Sequence, residues 1–276
     1  MRPIITPAEL KIKLETNETV VIDVRSNLKN PDAGDEAYVK GHIPGAHYLH
    51  LEKDLSGTVE KHGGNHPLPN IDELANKFGE MGIDHGTNVV IYDADNDMFA
   101  ARAWWLLHYM GHEKAFLLDG GFRAWEEAGY DLTIEIPARK AKKFVPQLRP
   151  EVIANINDVK QRGEKSVLID SRAKDRYLGK TEPLYKKAGH IPGAQNFFWK
   201  DVLTDSGDWK KPEALKEHFA KLKDADEIIV SCGSGVSACP NFIALKMAGF
   251  HHVKLYSGSY SDWISYEDNP IETKEE

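Results

Sequence analysis

The chain has 276 residues, 41% of them hydrophobic and 28% charged, the make-up of a globular protein long enough for two ordinary domains. Its net charge is −8 with no long block of one sign, which argues against nucleic acid or an anionic membrane as the main partner. No apolar stretch approaches the ~20 residues that span a bilayer, and the start, MRPIITPAELK, has neither an apolar h-region nor a small-residue cleavage site.

In chain order, VVIDV (20–24) reads as a strand ending near Asp23, and GHIPGA (41–46) as a turn in which Pro fixes φ and Gly tolerates positive φ. After a polar stretch, LEKDLSGTVEKHGGNHPLP (51–69), come a strand VVIYD (89–93), a helix AARAWWLLHYM (100–110) closed by Gly111, and a strand AFLLD (115–119). The segment 133–152, TIEIPARKAKKFVPQLRPEV, carries three prolines and a basic cluster and reads as a linker with solvated lysines, placed at 136–150. Beyond it lie SVLID (166–170), a second and identical GHIPGA (189–194), EIIVS (227–231), the loop CGSGVSA (232–238), and an amphipathic run opened by Pro240 and closed by Gly249. VKLYS (253–257) ends the series.

The order of these landmarks repeats. VVIDVR (20–25) and VLIDSR (167–172) precede the two GHIPGA copies, Asp93 falls opposite Cys232, Gly111 opposite Gly249, and Trp125 opposite Trp263. The Gly-to-Trp spacing is 14 in both halves. Such agreement marks an internal duplication whose period is a whole domain. Short strands with little polar alternation, alternating with helices, suit an α/β fold with a parallel sheet covered on both faces. Domains are therefore expected at 1–135 and 151–276. Asp23 and Asp170 are expected to bond loop N–H groups, His42 and His190 to be structural, and Trp104, Trp105, Trp125 and Trp263 to lie in the core. His251-His252 lacks any metal-ligand spacing, and no metal is expected.

Cys232 carries the chemistry. A thiol with pKa ≈ 8.5 is mostly protonated at neutral pH, and its thiolate is the nucleophile. A strand's end before a helix N-terminus surrounds the sulfur with backbone N–H groups and positive dipole. Gly233 and Gly235 let those N–H groups converge into a cradle for an anion, Cys–S–S⁻ included. GSGVSA (233–238) also fits a dinucleotide fingerprint, but VKLYSGSY supplies no acidic residue at the end of the next strand. A Cys-dependent phosphatase would need Arg at position 238, which is Ala. Cys239 reads as a buried small hydrophobe. The two cysteines, seven apart on one loop-helix segment, make a poor disulfide, so a cytoplasmic setting is expected.

Tandem halves with D-x-R, GHIPGA and a cysteine loop after a central strand resemble the rhodanese superfamily of two-domain sulfurtransferases, over nearly the entire chain. CGSGVSA is similar to the mercaptopyruvate version of the loop. The resemblance implies two tandem rhodanese-like domains, each a parallel five-stranded sheet flanked by helices, with the N-terminal half an inactive copy (Asp93 at the cysteine position) and the active site between the halves. It implies no organic cofactor. In substrate binding it implies the loop residues Gly233, Gly235, Val236 and Ser237, and Arg176, from DRYLGKTEP, as the carboxylate anchor. Lys180 is an insertion there, and the family's second arginine has no match; Lys186 or Lys187 stands in that region instead. It further implies a proton relay of Ser234, His66 and Asp54. The activity implied is transfer of sulfur from 3-mercaptopyruvate through a persulfide on Cys232 to thioredoxin, a small thiol or cyanide. Thiosulfate as donor remains open, although that branch places cations in the loop where this chain has Gly233 and Ser234. A non-catalytic sulfur-binding or redox-sensing module is the alternative of another class.

Overall fold

The computed structural model describes residues 3–16, 18–96 and 98–274. The chain forms two compact units: residues 1–57, 68–149 and 204–209 make the first, and residues 58–67, 150–203 and 210–276 the second.

The first unit runs β1 (Ile4–Ile5), α1 (Pro7–Leu14), β2 (Thr19–Asp23), α2 (Ala33–Lys40), β3 (Ala46–Tyr48), α3 (Ile71–Glu80), β4 (Asn88–Tyr92), α4 (Met98–Tyr109), β5 (Ala115–Leu118) and α5 (Gly121–Glu127). The second runs β6 (Ile153–Ala154), α6 (Ile156–Lys160), β7 (Ser166–Asp170), α7 (Lys174–Tyr177), β8 (Ala194–Asn196), α8 (Pro212–His218), β9 (Glu227–Ser231), α9 (Cys239–Met247), β10 (Val253–Tyr256) and α10 (Ser259–Trp263). Each sheet has five parallel strands, in the orders β1-β5-β4-β2-β3 and β6-β10-β9-β7-β8. The two orders are the same, as a duplication demands. The four shortest strands, β1, β3, β6 and β8, have only two or three residues and leave no period for a sequence reading to catch.

Central strands are apolar throughout because helices cover both faces. Val20, Val21 and Ile22 of β2, like Ile229 and Val230 of β9, have no exposed surface. The helix opened by Pro240 is not amphipathic: residues 239–245 of α9 are all buried, as are residues 99–108 of α4. A helix apolar on nearly all its faces is one enclosed on every side, here with Asn241 of α9 and Arg102 of α4 buried among the apolar residues. Helix starts follow capping chemistry, as where Thr6 and Glu9 form a reciprocal box at α1 and Asn155 and Asp158 another at α6.

Each D-x-R motif is a buried lock. The Arg25 guanidinium forks onto Asp23 (Nη2–Oδ2 2.6 Å) and donates to Gly41 O; Arg172 does the same with Asp170 (2.6 Å) and Gly189 O. Each aspartate also accepts the backbone N–H two residues on, at 2.9 Å. His42 and His190 stack on Tyr38 and Tyr177 with ring centroids 3.9 and 3.7 Å apart, and their Nδ1 atoms bond the carbonyls of those tyrosines. Both histidines of GHIPGA are thus held as structure. Trp104, Trp105, Trp125 and Trp263 are all buried.

Candidate active site

β9 lies between β10 and β7 and ends at Ser231, which places Cys232 at the carboxyl edge of the sheet, where open α/β folds bind ligands. The backbone around the cysteine is stitched to α10. Cys232 N–H donates to Ser259 Oγ (3.0 Å), Tyr260 N–H to Cys232 O (3.0 Å) and Ser261 N–H to Gly233 O (2.8 Å). The sulfur itself accepts Gly235 N–H at 3.1 Å. Gly235 has φ of +81°, and a Cβ there would lie 2.1 Å from Ser257 O, so only glycine turns this N–H onto the sulfur. Cys232 is 1% exposed. Val236 is buried and Ser237 half-buried at the far side of the loop, where Val236 O accepts Cys239 N–H. Cys239 is buried, its Sγ 3.4 Å from Gly235 O.

Ser259 is a feature the sequence reading missed. It sits at φ +53°, a left-handed conformation uncommon for a side-chain-bearing residue, with no exposed surface. The first half has Gly121 at the matching position, at φ +57°. The pairing of LDGG (118–121) with YSGS (256–259) carries that signal: a serine replaces a glycine only in the half that holds Cys232. Backbone strain held in this way clusters at functional sites.

Residues 58–67 belong to the second unit, so His66 lies in the same body as Cys232. Gly63 N–H donates to Asp262 Oδ1 (2.8 Å), Asn65 N–H to Ser261 Oγ (3.1 Å), and His62 Nδ1 meets Ser265 Oγ at 2.7 Å, tying the segment to α10. His66 Nδ1 then meets Ser234 Oγ at 2.7 Å. Two members of the expected relay are in direct contact. Asp54 lies in the first unit, where it accepts from His50 N–H (2.7 Å) and from the Lys77 ammonium.

Arg176, on α7, forks onto Glu182: Nη2 to Oε1 at 2.8 Å and to Oε2 at 3.1 Å. Arg172 Nη1 reaches the same carboxylate at 3.2 Å, and the Glu182 side chain is 2% exposed. Two guanidiniums are thus balanced by Asp170 and Glu182. Arg176 Nη1 donates to no described residue, and the Arg176 side chain is 21% exposed. The segment that holds Lys186 and Lys187 also brings Tyr185 to the loop. Lys186 is exposed and Lys187 Nζ bonds Glu267 O (3.3 Å), whereas the Tyr185 hydroxyl stands over Gly233, 2.6 Å from where a Cβ would be. Burial, reinforced by the nearby Cys232 charge, pushes the Tyr185 phenol up.

In the first unit, at the position that matches Cys232, Asp93 Oδ2 accepts Ala100 N–H (2.9 Å), so the carboxylate bonds the first turn of α4. Asp32, Asp35 and His50 gather ligand-type atoms within 4.8 Å of one another. Their donor set suits an ion-paired cluster better than a metal. His50 Nδ1 accepts N–H groups of Glu52 and Lys53, the reverse of the donating ring nitrogen typical of metal-bound histidine, and Lys53 Nζ lies 3.9 and 3.7 Å from the two carboxylates.

Comparisons with known proteins agree with this geometry. The rhodanese-like domain model matches residues 6–128 and 150–266. A Pseudomonas aeruginosa protein assigned as a 3-mercaptopyruvate sulfurtransferase is 40% identical over 277 residues, 98% of each chain. A Mycobacterium tuberculosis protein assigned as a thiosulfate sulfurtransferase is 36% identical, covering 97% of this chain and 96% of that one. The crystal structure of an Escherichia coli 3-mercaptopyruvate sulfurtransferase matches with a TM-score of 0.79 and 30% identity, over 95% of this chain and 100% of that one. The chain belongs to the rhodanese family of sulfurtransferases, with one such domain in each half.

Proposed function

We propose that the protein moves sulfane sulfur from 3-mercaptopyruvate to a thiol or cyanide through a persulfide on Cys232. The observation that carries this reading is the loop itself: a cysteine whose sulfur accepts Gly235 N–H, followed by Ser234 in contact with His66, with no cation in the loop. The Cys232 thiolate attacks the donor sulfur, and the C–S bond breaks with its electron pair passing to the carbon. The resulting enolate gains a proton and leaves as pyruvate, and an acceptor thiol then attacks the outer sulfur and restores the thiolate. Backbone N–H groups stabilise negative charge on either form of the sulfur. The Nη1 side of Arg176 is available to the donor carboxylate. Asp54 is proposed to support the His66–Ser234 pair electrostatically.

The acceptor we infer is thioredoxin or a small thiol. Both cysteines are thiols, which suits a reducing compartment such as the cytoplasm. Among the described residues no helix is long and apolar enough to cross a membrane. The test is kcat/KM for 3-mercaptopyruvate and thiosulfate side by side with one acceptor. Preference for mercaptopyruvate supports the reading; preference for thiosulfate overturns the donor. Absence of steady-state turnover with either would favour a sulfur-binding or redox-sensing module.

A further inference from the structure

Glycine at position 233 answers a neighbour rather than the backbone. Unlike Gly235, it does not have a positive φ, so the main chain there would accept a side chain. Tyr185 fills the space instead. A Cβ on Gly233 would lie 2.6 Å from the Tyr185 hydroxyl oxygen, 3.3 Å from Cε2 and 3.4 Å from Cζ. The phenol thus stands where the side chain after the nucleophile would stand. Its ring has the Arg176 guanidinium 5.4 Å from its centroid and packs edge-on to Tyr260 at 6.0 Å. Tyr260 is pinned in turn, with its N–H on Cys232 O and its hydroxyl on Lys187 O (3.1 Å). The ring therefore joins three things in one place: the arginine, the loop and the turn that holds the cysteine.

We propose that Tyr185 is a specificity-determining residue, whose ring walls the mouth of the Cys232 loop so that a flat, singly charged donor fits and a tetrahedral dianion does not. The inference rests on the mercaptopyruvate reading. Shape is the first reason. Mercaptopyruvate carries its sulfur on a CH₂ next to a keto and a carboxylate group, which are planar and can lie along an aromatic face. Thiosulfate carries its sulfur on a tetrahedral sulfonate, whose three oxygens need width on every side. Charge is the second reason. While Tyr185 occupies the side-chain space of position 233, no cation can stand there. The guanidinium beside the ring is already shared with Glu182. A single guanidinium suits a carboxylate, which it meets in one plane. A dianion drawn out of water toward the same group keeps uncompensated charge, which is costly. Gly233 and Tyr185 thus act as a pair, the one leaving the room that the other fills.

The experiment is kcat/KM for 3-mercaptopyruvate and for thiosulfate, with cyanide as acceptor, in the full chain and in Tyr185→Ala and Tyr185→Phe. A fitted pocket wall discriminates between substrates by about 10–200-fold, so the mercaptopyruvate-to-thiosulfate ratio should fall at least about tenfold in Tyr185→Ala. Tyr185→Phe keeps the ring and should hold the ratio within about threefold of wild type. Gly233→Ala completes a cycle. Its Cβ should displace the ring and lower the ratio about tenfold in the wild-type background, and by much less when added to Tyr185→Ala, because residues in contact are coupled. Equal losses with both donors in a folded Tyr185→Ala would make the ring a mere support of the loop and overturn the proposal. A Tyr185→Phe ratio shifted as far as that of Tyr185→Ala would overturn it too, since the hydroxyl and not the wall would then be responsible. A wild type that prefers thiosulfate would overturn the donor assignment itself, and this inference with it.

Discussion

At the scale of single residues, the site is built from charges and hydroxyls already spoken for. Arg176 is the clearest case. DRYLGKTEP suggests a free guanidinium waiting for a carboxylate, yet Glu182 from the same motif already takes two-point bonds from it. The sequence shows that both residues are present; it does not show that a turn brings them together. Under the proposed function Arg176 would read the donor through Nη1, with Glu182 fixing the plane of the guanidinium. Arg176→Lys keeps the charge but loses the planar fork. A charge-assisted hydrogen bond is worth roughly 1.5–3 kcal/mol, so kcat/KM for mercaptopyruvate should fall about ten- to a hundredfold, and that for thiosulfate less. Equal falls for both donors would mean that Arg176 supplies only positive potential.

At the scale of elements, the decisive unit is the loop between β9 and α9 together with the start of α10. Cys232, Gly233 and Gly235 are legible in the sequence because a strand, glycines and a helix leave one geometry for the loop. The partner that holds it is not. Ser259 lies 27 residues on, and only β10 packed beside β9 brings its hydroxyl to the Cys232 N–H. Gly235→Ala tests the loop as an element. Its Cβ would meet Ser257 O, and a left-handed conformation costs an alanine about 1–2 kcal/mol. The loop must shift, and the N–H on the sulfur shifts with it. Persulfide formation should slow about ten- to a hundredfold, the worth of that one bond, while far-UV circular dichroism stays that of the wild type. Unchanged persulfide formation in a folded variant would show that Gly235 N–H is not needed at the sulfur.

At the scale of the whole molecule, duplication explains what could be read early. Two copies of GHIPGA and of D-x-R expose the two-domain α/β plan, since each motif is the same buried lock in both sheets. The short edge strands and the grouping of residues 58–67 with the second unit could not be read, because tertiary packing alone decides them. Acid tolerance of the first unit should follow two of its histidines. His112 and His47, both in the first unit, have pKa values lowered from 6.5 to about 4, chiefly by burial. A folded-state pKa below the unfolded one means the unfolded chain binds more protons between pH 4 and 6.5. Stability from these groups is therefore complete above pH 6.5 and is lost as pH falls toward 4, by at most roughly 3 kcal/mol for each. His112→Gln should flatten the fall in melting temperature of the first unit across that window. An equally steep fall in the variant would place the acid sensitivity elsewhere.

The most direct measurement of the central claim is the mass of the donor-treated protein, mapped to the peptide. Wild type incubated with mercaptopyruvate should gain one sulfur, about 32 Da, on the peptide that contains Cys232, and a thiol should remove it, as expected of a covalent intermediate. Cys239→Ser should gain the same mass on the same peptide, and Cys232→Ser should gain none. A persulfide that persists in Cys232→Ser, or turnover without any added sulfur, would contradict the account.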